Sequence, residues 1–131
     1  MDKQALQRSI KYHQQREENR RAAREQLRNK RYWQVRSAIC NLAPNYPALN
    51  AVYLYGSLLR SGGFGLESDI DIAVSCADKA EESLFWQALE AELEWDVDLR
   101  SYTGAVAWAV DSYGECIYAR KIPGTGTDSS T

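Results

Sequence analysis

The sequence lacks any long apolar run, and no stretch approaches the roughly 20 apolar residues of a membrane-spanning helix. The polar N-terminus also lacks the apolar segment of a secretory signal. Cysteine is scarce, and Cys40, Cys76 and Cys116 form no C-x-x-C pair, which argues against a disulfide framework or a zinc site. We therefore expect a cytoplasmic protein with no membrane association and with three reduced, buried thiols.

Proline and glycine are absent from residues 3–41, which are rich in Gln, Arg, Glu, Lys and Ala. This composition predicts one long helix, or two with a break. Residues 1–36 carry eleven Lys or Arg against four Asp or Glu, a net +7, whereas residues 37–131 carry five against fourteen, a net −9. We expect a solvated or protein-bound basic arm, with nucleic-acid binding as the less favoured alternative.

The rest of the chain alternates short strand and helix patterns. The order predicts a small α/β (α+β) domain: a mixed sheet with helices on one side, preceded by the long N-terminal helix. We divide the chain into a basic helical extension (1–30), a single domain (31–122) and a flexible tail (123–131). The predicted strands cover 51–55, 69–74, 95–100 and 115–122, and the predicted helices cover 78–94 and 102–112.

Paired aspartates mark two of these strands. Residues two apart on a strand share a face and lie about 6.6 Å apart along it, so Asp69 and Asp71 point the same way. The next strand repeats the pattern with Asp96 and Asp98. If the strands are neighbours, these carboxylates converge on one open face, where three of them could hold two Mg²⁺ ions about 4 Å apart. The less favoured interpretation is that Asp69 and Asp71 are solvated strand carboxylates.

A Gly-Ser pair follows the first strand. Gly56 allows a tight turn and close backbone approach, and Ser57 opens a turn whose free N–H groups could receive a triphosphate. A helix-capping role for Ser57 is compatible with that function.

The stretch from Gly56-Ser57 to Ser68-Asp-Ile-Asp-Ile-Ala-Val74 resembles the DNA polymerase β-type nucleotidyltransferase superfamily, over residues 37–122. Among short proteins it is most similar to the minimal nucleotidyltransferase (MNT) antitoxins of HEPN/MNT toxin–antitoxin pairs. The resemblance implies that Gly56 and Ser57 bind the triphosphate. It also implies that Asp69 and Asp71 bind metal, and that Asp98 is the third carboxylate, although Asp96 could serve instead.

Two departures from the family pattern concern the phosphate-binding region. The spacer from Leu58 to Ser68 has eleven residues, one more than is usual, and Leu58 stands where the family commonly has Arg. The nearest basic residue is Arg60. We therefore include Arg60 with Ser68 among the candidate nucleotide-binding residues.

The resemblance implies an enzyme that uses Mg²⁺, with two ions expected, and ATP. It would transfer AMP to a hydroxyl of a partner protein, a Tyr of a HEPN ribonuclease toxin, within a hetero-oligomer. One alternative is an antitoxin that neutralises its partner by contact alone. A second, disfavoured by the lack of length for a substrate domain, is an antibiotic-modifying nucleotidyltransferase.

Overall fold

The structure is a computed structural model that describes residues 2–65 and 68–120. The predicted tail at 123–131 lies outside the described residues. Within the described ranges, no helix combines the length and apolar character needed to cross a membrane.

Helix α1 spans Lys3–Leu42 without a break, which decides between the one-helix and two-helix predictions. Its forty residues extend about 60 Å. Asp2 caps its start by accepting a hydrogen bond from the Gln4 backbone N–H (3.1 Å). Nearly all side chains up to residue 24 are exposed, and the buried positions come only near the other end, at Val35, Ala38 and Ile39. The helix therefore has two parts, which we call the free arm (residues 3–24) and the anchored part (residues 25–42).

Four strands form a mixed sheet in the order β3-β2-β1-β4. Strand β1 is antiparallel to β2 and β4, whereas β2 and β3 are parallel and are joined through helix α2. Short 3₁₀ turns follow α1 (Ala43–Asn45) and β1 (Gly56–Leu59). The remaining elements are β1 Leu49–Tyr55, β2 Ile70–Cys76, α2 Lys79–Leu93, β3 Val97–Ser101, α3 Gly104–Tyr113 and β4 Glu115–Ala119.

One face of the sheet is apolar and covered by α1 and α2. The strands contribute alternate residues to this core, which is what the alternating sequence pattern predicts. Helix α2 begins at a capping aspartate, Asp78, which accepts from the Ala80 backbone N–H (2.9 Å). The central core residues, all at most 1% exposed, are Val35, Ile39, Val52, Leu54, Ile72, Val74, Phe85 and Leu89.

Helix α3 lies over the opposite face of the sheet. Its Val106 and Ala109 line a groove together with Asp71, and the Tyr102 ring just before it stacks on Tyr53 of β1 (centroids 4.6 Å apart). Ala73 on the same face is fully buried. The predicted fold class, a small mixed sheet preceded by a long N-terminal helix, is confirmed, but the expectation that the helices lie on one side is wrong, because α3 covers part of the opposite face. The α3 side chains that line this groove, Ala105, Val106 and Ala109, are small.

The cysteines differ from expectation in their exposure. Cys40 and Cys116 are exposed and Cys76 is half-buried, so the prediction of buried thiols is wrong. All three are free.

Candidate active site

Three side chains lie in one row across the sheet, where β1 ends and β2 and β3 begin. Tyr55 of β1 pairs with Asp71 of β2, and Asp71 pairs with Asp98 of β3. Because directly paired residues project from the same face of a sheet, all three point to the face that α3 partly covers. Asp69 directly precedes β2 and is exposed.

The carboxylates influence one another. Partial burial raises the pKa of Asp71 above its ordinary value, and the charges of Asp98 and Asp69 raise it further. Arg100 and Arg60 act in the opposite direction. The face therefore carries an excess of negative charge that a cation would relieve.

Asp98 has a cationic partner already. The Arg100 side chain, two residues further along β3, donates to its carboxylate from Nε (3.2 and 3.3 Å) and Nη2 (3.2 Å). Asp96, the alternative third carboxylate, is exposed and precedes the strand, where its backbone carbonyl accepts from the Ile70 N–H (3.1 Å). Asp98 thus lies beside Asp71 in the sheet and forms an exposed ion pair with Arg100.

Gly56 lies directly against Asp71. Its φ of +83° is in the region that favours glycine, and a Cβ built there would overlap the Asp71 carboxylate. Gly56 and Ser57 begin the 3₁₀ turn Gly56–Leu59, whose end is closed by the Arg60 N–H donating to the Ser57 carbonyl (3.1 Å). The turn and the acidic row are therefore adjacent.

Leu58, the residue that departs from the Arg expected from the resemblance, is buried and belongs to the core. Arg60 is exposed and close enough to lower the pKa of Asp71. Arg60 therefore brings a positive charge near Asp71 from a position two residues after Leu58.

Two adjoining grooves share Tyr55 and Ala109. The acidic groove, of about 250 Å³, also contains Asp71, Asp98 and Arg100. Its neighbour, of about 340 Å³, is lined by Tyr55, Gly56, Leu59, Arg60, Ala109 and Tyr113. A substrate lying across both grooves would meet the carboxylates at one end and Arg60 at the other.

Ser68 lies apart from both grooves. Its hydroxyl accepts from the Gly65 N–H (2.9 Å), and its carbonyl accepts from the Trp95 indole (2.8 Å). It also lines a separate cavity between α1 and the loop that contains Gly62 and Gly63. The structure thus gives Ser68 a role in shaping the loop that leads to Asp69.

Sequence reasoning gave no role to Tyr55, Arg100 or α3. Burial, then the charges of Asp71 and Asp98, raise the pKa of the Tyr55 hydroxyl. The alternation of Tyr53 and Tyr55 with buried Leu54 is the signal that would have placed Tyr55 on the polar face. The position of α3 over that face had no comparable signal, because the amphipathic pattern of a helix does not specify which side of a sheet it covers.

The donor set fits Mg²⁺, which prefers hard carboxylate oxygens. The surroundings of Asp71 support this fit, because its partial burial, followed by the charges of Asp98 and Asp69, disfavours an uncompensated carboxylate and raises its pKa. Among residues 2–65 and 68–120, no three Asp, Glu, His or Cys side chains are gathered as a ready-made metal site. The Asp98 carboxylate binds Arg100 instead, so one of these two side chains must rotate before Asp98 can join Asp69 and Asp71 at a metal.

The chain is similar to solved structures of toxin–antitoxin proteins. A solved structure of a mutant of the toxin–antitoxin complex MntA-HpeT aligns at 27% identity with a TM-score of 0.53, over 66% of this chain and 74% of that one. A toxin–antitoxin structure with AMP-PNP aligns at 29% identity with the same TM-score and coverage. No curated protein matches the chain.

The family model described as polymerase beta, nucleotidyltransferase matches residues 37–122. The match begins inside the anchored part of α1 and includes the Gly56 turn, the acidic row and all four strands. It covers well over half of the chain. The chain therefore belongs to the polymerase beta nucleotidyltransferase family.

Proposed function

We propose that this protein transfers AMP from ATP to a hydroxyl of a partner protein, a Tyr of a HEPN-type toxin, and so acts as its antitoxin. The observation that carries the proposal is the placement of Asp71 and Asp98 side by side, with Gly56 against the Asp71 carboxylate. The family assignment supports nucleotidyl transfer. The similar structures, a toxin–antitoxin mutant and a toxin–antitoxin with AMP-PNP, support this type of partner and ATP.

The reaction needs one bond formed and one broken at the α-phosphorus. The acceptor oxygen attacks that atom, the bond between the α-phosphorus and the bridging oxygen to the β-phosphorus breaks, and pyrophosphate leaves. Asp98 accepts the hydroxyl proton once Arg100 no longer holds its carboxylate. A positioned base of this kind contributes about 10²–10⁴-fold to a rate.

Asp69, Asp71 and Asp98 would hold two Mg²⁺ ions. When bound, the ions supply charge neutralisation at the phosphates. Partial burial, followed by the charges of Asp98 and Asp69, raises the pKa of Asp71, and a bound cation would offset both effects at this position.

The other half of the substrate would lie along the second groove. Gly56 and Ser57 offer backbone N–H groups of the 3₁₀ turn, and Arg60 offers a guanidinium to the triphosphate. Ser68 would act at a distance, by fixing the loop between the turn and Asp69. The Asp71 carboxylate, in contact with Gly56, joins the two halves of the site.

The direct test is to incubate the protein with Mg-ATP and a HEPN-type toxin and to measure the intact mass of the toxin. Wild type should add one or more AMP groups, and Asp71→Asn should add none in the same time. An unmodified toxin with wild type, or equal modification by both proteins, would contradict the proposal.

Neutralisation by contact alone is the second candidate, and the bond between Arg100 and Asp98 favours it, because that carboxylate is engaged. Co-expression with the toxin separates the two functions. If Asp71→Asn protects cells as well as wild type does, contact is the function. If protection is lost while the variant still binds the toxin, transfer is required.

A further inference from the structure

Helix α1 makes direct contact with the loop that follows the Gly56–Ser57 turn. The Arg28 side chain donates from Nη1 to the backbone carbonyl of Leu58 (3.1 Å). The Glu25 carboxylate accepts from the backbone N–H of Gly62 through Oε2 (2.6 Å). Two side chains of the helix therefore bind backbone atoms of the turn and the loop. These contacts fix the position of the loop backbone independently of the loop's own side chains.

The two residues also hold each other. Arg28 donates to Glu25 Oε1 from Nε (3.1 Å) and Nη2 (2.8 Å), so its planar fork uses two donors on the carboxylate and a third on Leu58. The hydrogen bond from Arg28, followed by that from the Gly62 N–H, lowers the pKa of Glu25 below its ordinary value. We call this four-residue unit of Glu25, Arg28, Leu58 and Gly62 the loop clamp.

A second set of contacts fixes the far end of the same loop. The Arg31 guanidinium lies over the Trp95 ring, 4.0 Å from its centroid. The Trp95 indole donates to the Ser68 carbonyl (2.8 Å), and the Ser68 hydroxyl accepts from Gly65 (2.9 Å). The loop is thus held near both of its ends, and α1 takes part at each.

The loop needs such support because three glycines, Gly62, Gly63 and Gly65, give it unusual backbone freedom. A ligand that binds an unordered loop must offset the entropy of ordering it, whereas a loop that is already held avoids that cost. The clamp holds the carbonyl of Leu58, inside the 3₁₀ turn proposed to receive the triphosphate.

We propose that Glu25 and Arg28 are positioning residues that hold the Gly56–Gly62 segment in its nucleotide-binding shape, so that α1 sets the affinity for ATP. This inference rests on the proposed function. Neither residue lines the two grooves of the site, so they act through the loop and not by touching the substrate.

The chain contains a matched control about two turns earlier on the same helix. Arg20 and Glu17 form the same i,i+3 pair (3.2 Å) on the free arm, where both are about half exposed. Replacing Arg20 removes an equivalent helix pair without touching the loop. Any effect common to Arg28→Ala and Arg20→Ala is then an effect on the helix and not on the clamp.

The experiment compares full-length wild type, Arg28→Ala, Arg28→Lys and Arg20→Ala. ATP affinity is measured by calorimetric titration with AMP-PNP and Mg²⁺, and loop order by hydrogen exchange over residues 57–65 without nucleotide. We expect Arg28→Ala to weaken AMP-PNP binding about tenfold, the effect of one charge-assisted hydrogen bond. We expect KM for ATP to rise more than kcat falls, and the loop amides, that of Gly62 included, to exchange faster.

Arg28→Lys keeps the charge but not the planar fork, so its affinity should lie between those of wild type and Arg28→Ala. Arg20→Ala should match wild type in both measurements. Equal AMP-PNP affinity for Arg28→Ala and Arg20→Ala would overturn the proposal, as would unchanged exchange in the loop. If wild type binds no nucleotide, the proposed function is wrong, and the loop clamp cannot set an affinity for ATP. Hydrogen exchange would then report only whether Arg28 orders the loop.

Discussion

The two faces of strand β2 differ in function, although their side chains alternate along the same seven residues. Ile70, Ile72 and Val74 point to the face covered by α1 and α2 and are at most 1% exposed. Asp71 points the other way, to the face that α3 only partly covers. Burial of large apolar side chains supplies stability on the first face, whereas incomplete cover leaves the second open to a substrate.

This division explains how so small a domain can tolerate converging carboxylates. Among the described residues no polar or charged residue is buried, so the stabilising core contains only apolar side chains. The repulsion around Asp71 occurs where solvent and cations can reach it. Substitutions on the acidic face should therefore change the rate of AMP transfer with little effect on stability. Substitutions on the apolar face should lower stability with little effect on the rate of transfer by the folded protein.

The largest expected effect on the acidic face is that of Asp98→Asn. Loss of the proposed base should slow AMP transfer by about 10²–10⁴-fold. The exposed pair with Arg100 contributes little to folding, so the free energy of unfolding should change by less than about 1 kcal/mol. Quantitative mass spectrometry of the toxin and urea unfolding measure the two quantities.

Asp96→Asn is the matched control for that variant, because Asp96 is the other aspartate of the same sequence run and is exposed before the strand. It should transfer AMP at nearly the wild-type rate. A larger defect in Asp96→Asn than in Asp98→Asn would reassign the third carboxylate to Asp96.

Ile72→Ala tests the other face at the position next to Asp71. Ile72 is fully buried in the core, so removing three carbons should lower the free energy of unfolding by about 2–5 kcal/mol. Transfer by the fraction that remains folded should stay close to wild type. A thermal melt unchanged from wild type would show that the apolar face does not supply the stability assigned to it.

The alternation that separates these faces is also why much of the architecture could be predicted. The Asp69–Val74 pattern predicted a half-buried strand, and β2 spans Ile70–Cys76. The pattern at 95–100 predicted the next strand, β3, which spans Val97–Ser101. A period of two fixes which residues share a face, so the placement of Asp71 with Asp98 required only that the strands be neighbours in register.

Three features had no signal of that kind. The position of α3 over the acidic face depends on tertiary packing. The pairing of Arg100 with Asp98 depends on rotamers, although their i,i+2 spacing on a strand allowed it. The hydrogen bond that Glu25 accepts from the loop and the one that Arg28 donates to it join positions 37 and 30 residues apart, where local periodicity carries no information.

Gly56→Ala should lower both the stability of the fold and the rate of transfer, because Gly56 directly follows the buried strand β1 and lies against Asp71. Its positive φ makes any Cβ costly by about 1–3 kcal/mol, and the added carbon would displace the Asp71 carboxylate. We expect a lower melting temperature together with a loss of AMP transfer.

Gly104→Ala separates these two causes. Gly104 also has a positive φ (+55°), but a Cβ there would meet no atom within 4 Å. It should lower the melting temperature to a comparable degree and leave transfer largely intact in the folded protein. Equal losses of transfer in the two variants would mean that backbone strain, and not contact with Asp71, is responsible.

The smallest expected effect is a pH-dependent gain in stability from Asp71→Asn. Because the folded protein raises the pKa of Asp71 above its ordinary value of 3.8, the folded state binds this proton more tightly than the unfolded state does. The stability that the protonated group contributes is present at acid pH and is lost as pH rises through the folded-state pKa. The variant should therefore melt at a higher temperature than wild type at about pH 7, and the difference in melting temperature should close toward about pH 4.

Added Mg²⁺ should raise the melting temperature of wild type more than that of the variant, because only wild type retains the Asp71 charge. A gap that does not change with pH would mean that neither burial nor the charges of Asp98 and Asp69 raise the Asp71 pKa in the folded protein, and the electrostatic argument for a cation beside Asp71 would then fail.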